Sequence, residues 1–122
     1  MDGAGSVLVL DDNVDVAQGV SDILELSGYR VTMVHDGQSA VSAFRKGQFS
    51  IGLFDVRMPG MNGVEAFMEI RRHAPEANVL LMSGYADDEL IATALDNGAL
   101  GILSKPFEPD EMLERVREAC EL

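Results

Sequence analysis

The sequence predicts an α/β fold, a three-layer sandwich with one parallel β-sheet between two layers of helices. Two observations predict it: short apolar runs recur five times along the 122 residues, and amphipathic stretches of helical length separate them. The runs are continuous and do not alternate with polar residues, which is typical of strands buried on both faces of a parallel sheet. No linker, repeat or low-complexity segment interrupts this order. We therefore expect a single domain over residues 1–122.

Each element can be placed by its apolar residues and by the residues that begin or end helices. The predicted strands are Val7 to Leu10, Val31 to Val34, Ile51 to Phe54, Val79 to Met82, and Ile102 to Leu103. Glycine commonly ends a helix, and aspartate and proline commonly begin one. The predicted helices are a first that ends at Gly28, a second from Asp36 to Gly47, a third through Val64 and Ile70, a fourth from near Asp87 to Gly98, and a last that follows Pro109.

The composition excludes several classes of function. Acidic residues outnumber basic ones 21 to 9, a net charge of −12 that repels nucleic-acid phosphates and anionic lipids. No apolar run approaches the roughly 20 residues of a membrane span, and the amino terminus lacks the basic start of a secretory signal. The single cysteine, Cys120, permits no internal disulfide. We expect a soluble, cytoplasmic protein with no direct nucleic-acid partner and no membrane association.

Carboxylates follow two of the predicted strands at the edge where parallel sheets bind ligands. Asp11 and Asp12 come directly after the first strand, and Asp55 directly after the third. If these strands are neighbours, three carboxylates converge and raise one another's pKa unless a cation neutralises them, and a divalent metal is the simplest resolution. Oxygen ligands of this kind suit Mg²⁺. The alternative is that Asp11, Asp12 and Asn13 only cap the first helix.

A hydroxyl and an ammonium reach the same edge. Ser83 ends the fourth predicted strand and Lys105 follows the fifth. Ser83 can donate a hydrogen bond to a phosphoryl oxygen, and Lys105 can neutralise one. Taken singly, Ser83 is also explained as a turn residue and Lys105 as a solvated strand end. Folding alone gives no reason for three acids, a hydroxyl and a lysine at one edge.

Four motifs then occur in a fixed order along the chain. They are Asp11-Asp12, Asp55-x-x-Met58-Pro59-x-Met61-x-Gly63, Ser83-Gly84 and Lys105-Pro106-Phe107. This ordered set resembles the response-regulator receiver domain of two-component signalling, the chemotaxis-type fold, from about residue 7 to about residue 121. The resemblance implies a flavodoxin-like sandwich with strand order 2-1-3-4-5 and five helices.

The resemblance also implies a phosphorylation-dependent switch. Asp55 matches the phosphoacceptor, which takes a phosphoryl group from a histidine kinase. Asp11 and Asp12 match the acidic pair that holds Mg²⁺ together with Asp55 and the backbone carbonyl of Arg57. Phosphorylation would then change the affinity of the domain for a downstream partner.

The remaining matched positions concern the phosphoryl group and the response to it. Ser83 matches a hydroxyl that moves toward the phosphoryl group, Lys105 matches a lysine that contacts its oxygens, and the Lys105-Pro106 bond matches one that is usually cis. Ile102 departs from the pattern, because relatives commonly carry a rotating Tyr or Phe there. A β-branched side chain cannot flip as a ring does. We therefore expect the response in the loop of residues 84–87 and at the start of the fourth helix.

The resemblance gives partners by class. The donor is a sensor histidine kinase or a phosphotransfer protein, and the output partner is expected at the face of the fourth helix, fifth strand and fifth helix. A phosphorylation-linked homodimer is a further option. The only catalysis expected is the domain's own phosphorylation and dephosphorylation. Arg57 and Tyr85 match positions that line the approach to the phosphoryl group, or are simply exposed loop residues.

Two other classes of function compete with this interpretation. A Mg²⁺-dependent phosphatase with an aspartate nucleophile also uses Asp, Ser, Lys and metal. That class has an Asp-x-Asp pattern after its first strand, whereas Asp11 and Asp12 are adjacent here. A flavin-binding module needs a phosphate cradle after the first strand, where this sequence carries acids. The two histidines, His35 and His73, lack a second ligand at metal spacing, and we expect them to be solvated or packed.

Overall fold

The computed structural model describes residues 5–84 and 88–120, and it confirms the predicted three-layer α/β sandwich. The strands are β1 (Ser6–Leu10), β2 (Arg30–Val34), β3 (Ile51–Asp55), β4 (Val79–Ser83) and β5 (Gly101–Ser104). The helices are α1 (Val14–Leu26), α2 (Gly37–Lys46), α3 (Gly63–His73), α4 (Asp88–Asp96) and α5 (Pro109–Cys120). All strand pairs are parallel, and their order is β2-β1-β3-β4-β5, as the resemblance implied.

The strand register brings the carboxyl ends of the strands to one edge. Leu10, the last residue of β1, pairs with Val34 of β2 on one side and with Phe54 of β3 on the other. At the opposite side of the sheet, Ser83 of β4 pairs with Ser104 of β5. The residues that end or directly follow these strands therefore share one rim, and they are the acids, the hydroxyl and the lysine singled out above.

The core consists of two apolar clusters, one on each face of the sheet. Apolar residues of α1 and α5 cover one face, and those of α2, α3 and α4 cover the other. The central strands β1, β3 and β4 are almost wholly buried, as their apolar sequences predict. Burial on both faces is a wrong prediction for β2, which is half exposed because it lies at the edge of the sheet. In the part of the chain described here, no helix has the length and apolar character of a membrane span.

Side-chain caps and glycines fix the ends of the helices. Asn13 caps α1 by accepting from the Val16 N–H at 3.1 Å. Asn62 and Glu65 form a reciprocal capping box at the start of α3, which was not among the predicted helix signals. Gly28 has a φ of +96°, which confirms its predicted role after α1. The predicted start of the fourth helix near residue 87 lies outside the described residues.

Helix α4 buries little of its surface, and a hydrogen bond from Arg71 holds the turn beyond its carboxyl end. Its one buried residue among positions 88–96 is Ala94. Beyond its carboxyl end, the Arg71 guanidinium of α3 donates to Gly98 O at 3.0 Å and to Ala77 O at 3.2 Å. The same guanidinium lies 5.4 Å from the centre of the Phe67 ring. Arg71 therefore ties the turn after α4 to α3 and to the loop before β4.

Candidate functional site

Three carboxylates converge at the carboxyl edge of the sheet, as the sequence predicts. Asp11 follows β1 and is 1% exposed, Asp55 ends β3 and is 6% exposed, and Asp12 is exposed to solvent. One oxygen from each lies within 4.8 Å of the others. Asp11 and Asp55 are close because β1 and β3 are neighbours in the sheet. The arrangement gathers oxygen donors of three residues around one point, open to solvent on the side of Asp12.

Lys105 reaches this point from the far side of the sheet. Its Nζ donates to Asp11 Oδ2 at 2.9 Å and to Asp55 Oδ1 at 3.0 Å. The side chain is 24% exposed, so these ion pairs are half-buried and are screened less than surface pairs. The backbone N–H of Lys105 also donates to Ser83 O at 2.8 Å, and the Lys105–Pro106 bond is cis, as the resemblance implied.

The crowding of charge affects the pKa of both partners in this contact. Burial raises the pKa of the Asp55 carboxyl, the nearby carboxylates of Asp11 and Asp12 raise it further, and the hydrogen bond from Lys105 only partly opposes them. Burial alone would lower the pKa of Lys105, but its bonds to Asp11 and Asp55 outweigh burial and raise it. Lys105 is therefore cationic at neutral pH, facing three acids.

Asp11 is held by hydrogen bonds at every polar group. Its N–H donates to Val34 O at 3.2 Å, its carbonyl accepts from His35 Nδ1 at 3.0 Å, and its Oδ1 accepts from the Asn13 N–H at 3.0 Å. Oδ2 accepts from Lys105. Asn13, and neither aspartate, is the N-cap of α1. The capping alternative therefore fails to explain why Asp11 faces the site.

The remaining residues predicted for the site lie at various distances from the carboxylates. Ser83 is 6% exposed at the end of β4, at the same edge as the carboxylates. Arg57 is exposed, two residues beyond Asp55, and lines an open cleft of about 460 Å³ between the segment after β3 and Leu90 of α4. Ile102 packs against the cluster that contains Ala94. Tyr85, with most of the loop expected to respond, lies outside the described residues.

The donor set fits a Mg²⁺ ion. Among residues 5–84 and 88–120, the three aspartates form the one cluster of acids, histidines or cysteines close enough to share a metal. All the donor atoms are carboxylate oxygens, which Mg²⁺ prefers to nitrogen or sulfur. A single ammonium facing three carboxylates leaves the cluster with net negative charge, which a divalent cation would offset.

Two residues make contacts at this site that the sequence did not predict. His35 is exposed, in agreement with the expectation of a solvated residue, but its ring also donates a hydrogen bond to the main-chain carbonyl of Asp11. Gly63 appeared only as part of a motif, but a Cβ at this position would collide with the backbone carbonyl of Asp55. A residue larger than glycine would therefore push directly on the segment that carries the Asp55 carboxylate.

Comparison with known proteins gives consistent matches over almost the whole chain. A family model described as the response regulator receiver domain matches residues 7–117. The uncharacterized transcriptional regulatory protein YkoG of Bacillus subtilis is 34% identical over 115 residues, which are 94% of this chain and 50% of the relative. The chain spans between about a quarter and a little over half of the length of its curated relatives.

Solved structures agree with the sequence matches. Chemotaxis protein CheY4 of Vibrio cholerae superposes with a TM-score of 0.89 at 29% identity, covering 96% of this chain and 99% of that one. A chain of the CheX-CheY-BeF3-Mg²⁺ complex of Borrelia burgdorferi superposes with a TM-score of 0.85 at 26% identity, covering 93% of this chain and 87% of that one. The family match favours the receiver domain over the phosphatase and flavin-module alternatives.

Proposed function

The chain belongs to the response-regulator receiver family, a family of signalling domains that act with histidine kinases, and from this premise we propose that it is a switch phosphorylated on Asp55. The observation that carries the proposal is the buried Asp55 carboxylate, 3.0 Å from an ammonium and clustered with Asp11 and Asp12 at the rim of the sheet. The phosphoryl donor is a phosphohistidine of a sensor histidine kinase or of a phosphotransfer protein.

The transfer needs little covalent chemistry from the protein. An oxygen of the Asp55 carboxylate forms a bond to phosphorus while the phosphorus–nitrogen bond of the phosphohistidine breaks. The electron pair of that bond stays on the histidine nitrogen, which takes up a proton. Bound by Asp11, Asp12, Asp55 and the backbone carbonyl of Arg57, Mg²⁺ would supply positive charge against the negative charge of the transferred group.

Lys105 and Ser83 complete the proposed site. The ammonium of Lys105 already contacts Asp55, so a modest movement brings it to the oxygens of a phosphoryl group bonded there. The hydroxyl of Ser83, at the end of the neighbouring strand β4, can donate to another oxygen. Dephosphorylation follows when a water oxygen bonds to phosphorus and the Asp55 oxygen leaves. The domain would catalyse these two reactions of its own and no others.

The proposed output is a change in affinity for a partner at the face of α4, β5 and α5. Weak packing supports a response there, because α4 buries one of its residues and Leu95 is 43% exposed. Ile102, under this face, contacts the same apolar cluster as Ala94. Output through a larger regulator is consistent with the curated relatives. YkoG, for example, is named as a transcriptional regulatory protein and is twice as long as the matched segment. A phosphorylation-linked homodimer is the second form of output that we propose to test.

Intact mass spectrometry tests the proposed phosphoacceptor. The protein is incubated with Mg²⁺ and acetyl phosphate, and we expect the wild type to gain one acid-labile phosphoryl group and Asp55→Asn to gain none. Asp36→Asn is a matched control, because it makes the same change at the same edge of the sheet, and asparagine keeps the helix cap. A wild type of unchanged mass would overturn the proposal. A phosphorylated Asp55→Asn would move the acceptor elsewhere.

NMR with a beryllofluoride mimic tests the route to the output face. We expect shifts at the start of α4 in the wild type and much smaller ones in Ser83→Ala. Wild-type-like shifts in Ser83→Ala would remove Ser83 from the route. Sedimentation of the same samples reports whether the mimic promotes a dimer, and an unchanged monomer would exclude that form of output.

A further inference from the structure

His35 makes a contact at the rim of the site that the proposed chemistry does not use. It directly follows β2, and its Nδ1 lies 3.0 Å from the carbonyl oxygen of Asp11, which directly follows β1. A carbonyl oxygen can only accept a hydrogen bond, so Nδ1 carries the hydrogen. Nε2 is then the ring nitrogen left without a hydrogen in the neutral form. Within the described segments, His35 belongs to no group of three or more side chains that could share a metal.

This bond completes a clamp on the main chain of Asp11. On one side of its Cα, the N–H of Asp11 donates to Val34 O, and on the other side, its carbonyl accepts from His35. Both peptide groups that flank the Asp11 side chain are thus tied to the end of β2. The ladder between β1 and β2 ends with the pair Leu10 and Val34, so the histidine side chain extends it by one residue.

The clamp bears directly on the direction of the Asp11 carboxylate. With its backbone dihedrals held, the Asp11 carboxylate accepts a hydrogen bond from Lys105 at Oδ2 and one from the Asn13 N–H at Oδ1. Loss of the carbonyl bond would free the peptide between Asp11 and Asp12, and the direction of both of their carboxylates depends on that peptide. Groups beyond the metal ligands commonly set ligand orientation in this way.

We propose that His35 is a positioning residue of the acidic site, which orients Asp11 and Asp12 for metal binding and phosphorylation through its Nδ1–H bond to the Asp11 carbonyl. The inference rests on the proposed function of that site and adds a residue to it. In this role His35 would act through Asp11 and would not itself bind the metal or the phosphoryl group. Its charge is not required, because the neutral Nδ1–H form and the cation both donate from Nδ1.

Three substitutions at position 35 distinguish the loss of the hydrogen bond to Asp11 from a mere change in the size of the side chain. Asn places an amide N–H close to where Nδ1 stands, Gln places it one bond further out, and Leu has no donor. We expect His35→Leu and His35→Gln to lower Mg²⁺ affinity and the rate of phosphorylation by acetyl phosphate about two- to tenfold, the range of one hydrogen bond. His35→Asn should stay close to the wild type. Thermal unfolding of each variant checks that the fold persists.

His73→Leu is the matched control, since His73 lies at the end of α3 and its ring contacts Arg45 instead of the site. It should leave Mg²⁺ affinity unchanged. Wild-type affinity and rate in His35→Leu, or an equal defect in His35→Asn, would overturn the inference. A wild type that binds no Mg²⁺ and gains no phosphoryl group would instead overturn the proposed function, and the inference with it.

The ring itself gives a readout that does not depend on activity. Long-range ¹H–¹⁵N correlation of the wild type reports which ring nitrogen carries the hydrogen in the neutral form of the ring. We expect the Nδ1–H form for His35. A dominant Nε2–H form would overturn the contact even in a protein that binds Mg²⁺ and is phosphorylated.

Discussion

Lys105 and Asp11, 94 residues apart in the chain, are joined by a hydrogen bond of 2.9 Å between Nζ and Oδ2. Strands β3 and β4 lie between the strands that carry them, so the lysine side chain spans the rim of the sheet to reach its partner. The same ammonium bonds Asp55. The two most buried carboxylates of the site are therefore both paired with one internal cation.

Removal of this cation should destabilise the metal-free protein and favour metal binding. In Lys105→Met, the carboxylates of Asp11 and Asp55 stay buried without their ammonium partner, and we expect a loss of about 2 kcal/mol in the free energy of unfolding, between the values for surface and buried pairs. Mg²⁺ should bind more tightly than to the wild type, since it no longer competes with Nζ. Urea unfolding with and without Mg²⁺ measures both effects. Lys46→Met, an exposed lysine of α2, is the control, and equal behaviour of the two variants would contradict this prediction.

Asp12 should contribute to metal binding and little to the fold. It is the exposed member of the cluster, so Asp12→Ala removes one ligand and one like charge without opening the core. We expect at least about tenfold weaker Mg²⁺ binding and an unchanged or slightly higher unfolding midpoint without metal. Asp15→Ala makes the same change at an exposed position of α1 outside the cluster and should bind Mg²⁺ normally. Wild-type affinity in Asp12→Ala would exclude Asp12 as a ligand.

The raised pKa of Asp55 predicts a pH-dependent effect of its removal. Because the folded state raises the pKa above its ordinary 3.8, the contribution of Asp55 to stability is fully present below that pH and is lost as the pH rises through the folded-state pKa. Asp55→Asn removes the buried charge. In EDTA, the variant should unfold at a higher temperature than the wild type at neutral pH, and the gap should narrow toward about pH 4. A gap of constant size from neutral to acidic pH would refute this account.

Gly63 should tolerate no larger residue, because a Cβ there collides with the carbonyl of Asp55. We expect Gly63→Ala to lower the free energy of unfolding by about 3 kcal/mol or more and to displace the backbone segment that carries Asp55. Gly19→Ala provides the contrast: Gly19 is exposed within α1 with open space around it, so alanine should stabilise the helix by about 0.5–1 kcal/mol. Denaturant unfolding and phosphorylation assays of both variants test the pair, and a stable, normally phosphorylated Gly63→Ala would contradict the prediction.

The sequence was sufficient to predict the alternation of elements and the edge at which the site lies. Continuous apolar runs located β1, β3 and β4, and residues that follow parallel strands must share an edge, so the convergence of Asp11 and Asp55 required only that their strands be neighbours. That neighbour relation came from the resemblance and the structure confirms it. The roles of Asp55, Ser83 and Lys105 in phosphoryl transfer remain predictions.

Features that depend on three-dimensional neighbours could not be predicted from local patterns. The partner of His35 is a backbone carbonyl, and no side chain in the sequence marks such a group. The half-exposed faces of β2 follow from its place at the edge of the sheet, which its apolar sequence does not reveal. The tight approach of Gly63 to Asp55 depends on the path of the segment between β3 and α3.

The bond between Arg71 and Gly98 holds the carboxyl end of α4. Nine residues of helix are about 13 Å long, so a tilt of about 10° around that end would carry the amino end about 2 Å. The amino end follows β4 along the chain, and the held carboxyl end precedes β5. A small displacement at the rim of the sheet would therefore tilt the exposed surface of α4 while its carboxyl end stayed bonded to α3. Without the Arg71 guanidinium, that end would not be held, and the whole helix would shift instead of tilting.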